Sequence, residues 1–195
     1  MVKKKKLEII FVTESKNKFR ECKSFLRDFH VIHKNIKIPE YQGDPSVVVK
    51  EKAKYAANKL KKPCFVDDTS LSFNAWKGLP GPYIKYFIEK LGVDKIPLLL
   101  AGFKDKKAKM ICYIGYCEPG KKPLVFKGIT AGEIVKPKGK RAFGFDPIFK
   151  PIGCNKTQGE MSYKEKEKIS ARTKALKKFA NYLAECRKNN TRNFS

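Results

Sequence analysis

The sequence predicts an α/β domain built on a mixed sheet flanked by helices. Two observations carry this. Compact apolar runs alternate with helix-period segments through the first half, and two long strand-like runs joined by a turn follow in the second. The length of 195 residues suits one domain with a sizeable core and falls short of two full-sized ones. One domain over 1–195 is expected, with 1–6 and 189–195 as disordered tails.

Leu7-Glu-Ile-Ile-Phe-Val12 is an apolar run that reads as a strand, after which Phe19, Cys22, Phe25, Leu26 and Phe29 recur at helical spacing. Residues 31–38 alternate as a second strand. Asp44-Pro45 then has the form of a helix N-cap followed by proline at the first helical position, and Val49, Ala53, Ala56, Ala57 and Leu60 fall on one face of the helix behind it. Cys64-Phe65-Val66 is a short buried strand that ends at Asp67-Asp68, and residues 71–76 form a separate one. A turn at 78–82, a helix over 83–91 and a short helix over 96–101 follow. Residues 109–118 and 124–135 are two long strands joined by Pro119-Gly120-Lys121-Lys122, a hairpin turn. Ser162-Tyr-Lys-Glu165 has capping-box spacing, and the last helix carries Leu176, Phe179, Ala180, Leu183 and Cys186 on one face.

Forty-four Lys and Arg against nineteen Asp and Glu give a formal charge of +25, which draws polyanions of any kind. The lysines are scattered, with short clusters at 3–6, 104–109 and 136–141, so no discrete basic arm for a specific nucleic acid is defined. The six cysteines include no C-x-x-C pair and fit free thiols in a reducing compartment. No run approaches the roughly 18 apolar residues of a membrane span, and the lysine-rich start lacks the apolar stretch of a signal peptide. A soluble cytoplasmic protein that does not engage membranes is expected.

Several segments carry candidate chemistry. Thr13-Glu14-Ser15-Lys16-Asn17-Lys18 places hydroxyls, an amide and lysines at a helix entry, where free N–H groups and the positive dipole end favour phosphate; Ser15 is equally suited to a plain N-cap. Asp67-Asp68 at a strand end calls for a compensating cation, and a hard divalent metal with oxygen ligands fits; two exposed turn aspartates are the alternative. Glu40 is a further acid for such an ion. Phe143-Gly144-Phe145-Asp146 couples aromatic faces to a permissive glycine and a carboxylate, suited to stacking and bonding a base, or else to a turn with two core phenylalanines. Ser170-Ala171-Arg172 opens the last helix, with Arg172 able to donate to a purine carbonyl or to face solvent. His30 and His33, three apart on a strand, point to opposite faces and make no metal site.

Taken together, Phe11-Val-Thr13 with Lys18, Pro39-Glu-Tyr-Gln-Gly43, Asp67-Asp-Thr69, Phe73-Asn-Ala-Trp-Lys-Gly-Leu-Pro-Gly-Pro-Tyr-Ile-Lys85, Phe143-Gly-Phe-Asp-Pro147 and Glu165-Lys166 with Ser170-Ala-Arg172 resemble the inosine triphosphate pyrophosphatase family, in order and spacing from about residue 7 to 185. The resemblance implies a two-lobed α/β fold with an elongated central sheet, an active site in the cleft between lobes, and a homodimer. It implies hydrolysis of non-canonical purine triphosphates (ITP, dITP, XTP) to monophosphate and pyrophosphate with Mg²⁺, or Mn²⁺ as a substitute. By position it implies Glu40 and Asp68 as metal-binding acids, with Asp68 as general base helped by Asp67. Triphosphate contacts fall on 13–18, Lys52 and Lys166, and base recognition on 143–146 and Arg172. Ser15 stands where the family usually has Asn, and Ala171 where it usually has His. The rival readings are a house-cleaning pyrophosphatase for pyrimidine or other modified triphosphates and, from another class, a basic nucleic-acid-binding module.

Overall fold

The computed structural model describes residues 6–139 and 143–192, with side chains through Lys188. The expected tails at 1–5 and 193–195 and the loop positions 140–142 lie outside the described residues. A seven-stranded sheet runs in the order β2-β1-β3-β5-β6-β7, with the two-residue β4 (Pro80–Gly81) paired to β3. Pairing is parallel between β1 and both β2 and β3, and antiparallel for β3 with β4 and β6 with β7, so the sheet is mixed as expected. Among the described residues no helix is long and apolar enough to cross a membrane.

By contact the described residues form two compact units, the first comprising 6–67, 113–127 and 173–192 and the second 68–112, 128–139 and 143–172. In the first, β1 (Leu7–Val12) lies between two parallel neighbours, which explains why Ile9 through Val12 are all buried. Helix α1 (Lys16–Phe25) closes when the Leu26 amide bonds the Cys22 carbonyl. Phe29, whose spacing continues the helical pattern, instead opens β2 (Phe29–Lys34), which stops four residues before the expected end. Helix α2 (Pro45–Leu60) starts as its sequence dictates, with Asp44 accepting from the Ser46 amide and proline in the first turn. Its small residues allow close approach to the sheet. A Cβ on Gly115 would come within 2.5 Å of the Val49 carbonyl and 3.1 Å of the Ala53 Cβ, so only glycine fits there.

The core of this unit is aromatic. Phe11 stacks on Phe65 at 4.4 Å, and Phe179 packs against Phe65, Tyr116 and Phe126 with centroids 4.9 to 5.5 Å apart. Phe179 comes from α5 (Ala171–Arg192), which runs through 189–192, so the helix takes in positions expected to belong to the tail.

The two strands expected over 64–66 and 71–76 are one, β3 (Cys64–Phe73). Asp67 and Asp68 therefore sit in mid-strand, not at a strand end. These two acids break the apolar run without breaking the strand. Long β5 (Lys107–Cys117) and β6 (Leu124–Ile134) match the expected pair and are neighbours in the sheet.

The second unit buries Leu71, Phe73, Ile96, Leu100, Ile148 and Phe149. It includes α3 (Ile84–Leu91), a 3₁₀ segment over Val93–Leu100, another over Asp146–Ile148, and the three-residue β7 (Phe149–Pro151), too short to show in the sequence. Helix α4 (Tyr163–Ile169) starts with the anticipated capping box, in which Ser162 and Glu165 each bond the other's backbone amide. It ends at Ser170, where the chain turns into α5.

All six cysteines are free, and Cys22, Cys64, Cys112 and Cys117 are buried. Burial, with Cys117 nearby, pushes the Cys64 thiol up to about 12, the state of an inert structural thiol.

Candidate active site

In the first unit Thr13, Ser15 and Lys18 lie where β1 passes into α1, and Lys18 reaches Asp67 of β3. Ser15 is the N-cap of α1: its hydroxyl accepts from the Lys18 amide at 3.2 Å, and its own amide donates to Thr13 Oγ1 at 3.1 Å. Glu14, Lys16 and Asn17 are exposed around this helix start, while Thr13 and Lys18 are half-buried. The Lys18 ammonium reaches the Asp67 carboxylate at 3.1 Å, and the Asp67 side chain is fully buried. A helix start with its positive dipole end, a lysine in its first turn and a buried counter-charge make a cationic loop suited to phosphate. Lys52 is half-buried on α2, and Glu40 is exposed in the segment between β2 and α2.

Consecutive residues of an extended strand turn their side chains to opposite faces, so Asp67 and Asp68 do not present a side-by-side pair. Asp67 is committed to Lys18. Asp68 is half-buried, and its Oδ1 accepts from the Thr69 amide at 3.1 Å. The alternative of two exposed turn aspartates does not hold, since Asp67 is only 8% exposed and both lie in a strand.

In the second unit the candidates form a dense cluster. Asp146, 2% exposed, accepts from the Lys166 ammonium at 2.6 Å. That ammonium lies 5.3 Å from the centre of the Phe143 ring, and the Arg172 guanidinium lies 5.9 Å from the same centre. Arg172, 6% exposed, donates to Thr69 Oγ1 at 3.2 Å. Phe143 is half-buried and within cation–π reach of both groups. Gly144 adopts φ +58°, a left-handed conformation that glycine takes at no steric cost, and so turns the chain between Phe143 and the buried Phe145. Ser170 and Ala171 are buried where the chain turns from α4 into α5.

Lys166, expected among the triphosphate contacts, is thus placed with the aromatic and carboxylate residues expected at the base. Arg172 does not face solvent. Thr69, which the sequence places in the acid motif without a role of its own, is a member of the cluster. His33 stacks on Phe19 and contacts the Thr13 carbonyl at 2.7 Å, while His30 pairs with Glu8, which fits the opposite faces expected of them. A hollow of about 470 Å³ between β2 and α1, lined by Lys6, Lys23, Arg27 and His30 among others, includes none of the candidate residues.

A mixed sheet flanked by helices makes this an α/β protein; one unit carries a lysine–carboxylate helix start suited to an anionic group, and the other a buried cation–aromatic cluster suited to a flat ring. The chain belongs to the Ham1 family, whose model matches residues 9–182. It is 42% identical over 187 residues to an inosine triphosphate pyrophosphatase of Puccinia graminis f. sp. tritici, covering 91% of this chain and 97% of that relative. It is 45% identical over 171 residues to an inosine triphosphate pyrophosphatase of Batrachochytrium dendrobatidis, covering 86% and 90%. Among solved structures, a HAM1 protein from Coxiella burnetii superposes with a TM-score of 0.82 at 28% identity, covering 92% of this chain and 99% of that one.

Proposed function

We propose that this chain is a nucleoside triphosphate pyrophosphatase that hydrolyses ITP, dITP and XTP to the monophosphate and pyrophosphate, using a divalent metal, in the cytoplasm and as a homodimer. The relatives named for inosine triphosphate support the substrate. The observation that carries it is the Phe143 ring approached by the buried cations of Lys166 and Arg172, with Asp146 fixing the first of them. That cluster offers a flat face to a purine and hydrogen-bond donors to its 6-keto oxygen. Adenine carries an amino donor at that position, and the unpaired donors it would leave disfavour ATP.

The carboxylates suit magnesium. It takes one or two protein acids and completes its shell with water and phosphate. Glu40 and Asp68 would hold the ion, which when bound neutralises phosphate charge and polarises the scissile linkage. Asp68 orients and deprotonates the water that attacks the α-phosphorus. Lys18 and Lys52, with the start of α1, bind the phosphate oxygens on which negative charge builds as pyrophosphate leaves. Asp67 holds Lys18 in place through their 3.1 Å pair.

The test is a panel of ITP, XTP, dUTP, GTP and ATP with and without Mg²⁺. The proposal expects turnover only with the metal, and ITP and XTP well ahead of ATP. Equal rates on ITP and ATP would remove the substrate assignment, and preference for dUTP would favour a pyrimidine-directed enzyme.

A further inference from the structure

The segment that brings Arg172 to Phe143 is tied to the sheet by a residue no sequence motif marks. Thr130 lies in β6, 4% exposed, and its hydroxyl donates to the Ile169 carbonyl at 2.6 Å. Ile169 ends α4, and the last carbonyls of a helix lack partners within it, so a donor from outside fixes where that end sits. Three residues before Ile169, in the same helix, is Lys166; three residues after it is Arg172. One tether therefore sits midway between the two cations that approach Phe143. Thr69 supplies the second hold, accepting directly from the Arg172 guanidinium at 3.2 Å.

We propose that Thr130 is a positioning residue for base recognition: by anchoring the Ile169 carbonyl to β6 it sets Lys166 and Arg172 against Phe143, with Thr69 holding the guanidinium itself. This rests on the reading that the Phe143 cluster receives the base. Thr130 acts through a backbone carbonyl and belongs to neither the phosphate loop nor the acid pair, so its effect falls on how tightly a 6-keto purine is held, not on bond cleavage.

The experiment compares KM and kcat for ITP and ATP in the wild-type protein, Thr130→Val, which keeps the shape and removes the hydroxyl, and Thr130→Ser, which keeps the donor. Loss of one hydrogen bond of ordinary strength predicts an ITP KM about three- to tenfold higher in Thr130→Val, with kcat within about twofold. ATP constants should move less, and Thr130→Ser should restore the ITP value. Should Thr130→Val fail to fold, Thr69→Val against Thr69→Ser gives the decision, with the same rise and recovery expected in ITP KM. Unchanged ITP KM, an equal loss for ITP and ATP, or a fall in kcat alone would overturn the inference. If the wild-type protein itself does not favour ITP over ATP, the proposed function fails and the inference with it, whereas a wild-type preference for ITP combined with an ITP KM unchanged in Thr130→Val removes the inference alone.

Discussion

The Lys166 ammonium lies 2.6 Å from Asp146 Oδ2, with both side chains at most 5% exposed. Removing one member of a buried ion pair leaves a charge with no counterpart and costs about 3–5 kcal/mol. Lys166→Met and Asp146→Asn should each destabilise the fold by an amount of that order in urea titrations. The double variant should lose less than the sum of the two, because the stranded charge disappears; full additivity would show that the pair is not coupled.

Asp67 and Asp68 are neighbours in sequence with separate tasks. Asp68→Asn, at a half-buried position, should reduce ITP turnover by about 10²–10⁴ with the melting temperature nearly unchanged. Asp67→Asn removes the buried partner of Lys18, so it should lower both stability and activity. Matched thermal melts and kcat values separate the two; an Asp68→Asn protein with full activity would contradict the mechanism.

Gly144 holds φ +58°, and among the described residues no atom lies within 4 Å of where a Cβ would sit, so an alanine there meets a backbone penalty. That penalty is about 1–2 kcal/mol in the left-handed region. Relieving it by rotating the chain displaces Phe143, so Gly144→Ala should raise the KM for ITP more than it lowers kcat.

Local signals in the sequence were the readable ones. Asp44-Pro45 and the Ser162–Glu165 box define helix starts because a cap involves residues two or three apart. The pairing of Lys166 with Asp146 spans twenty positions and depends on α4 folding back on the Asp146 turn, which no spacing rule conveys. The same holds for Thr69 with Arg172 and Thr130 with Ile169. The acid pair was visible as chemistry but misplaced as structure, since two charged residues look like the end of a strand until the lysine that neutralises Asp67 is seen.

The capping box gives a pH dependence with a defined sign. Hydrogen bonds from the Ser162 backbone and side chain, with Lys156 nearby, lower Glu165 from 4.5 to about 2. A depressed carboxyl stabilises the folded state above its unfolded pKa, and that contribution is lost as pH falls from about 4.5 towards 2. The carboxyl resonance of Glu165 should titrate in this acid range, and Glu165→Gln should flatten the corresponding part of the stability profile.

Attack at the α-phosphorus is the central claim, and hydrolysis of ITP in ¹⁸O-labelled water tests it most directly. The account predicts pyrophosphate without free phosphate or IDP, and the label in the IMP phosphate. Label in the pyrophosphate, or release of IDP with orthophosphate, would contradict it.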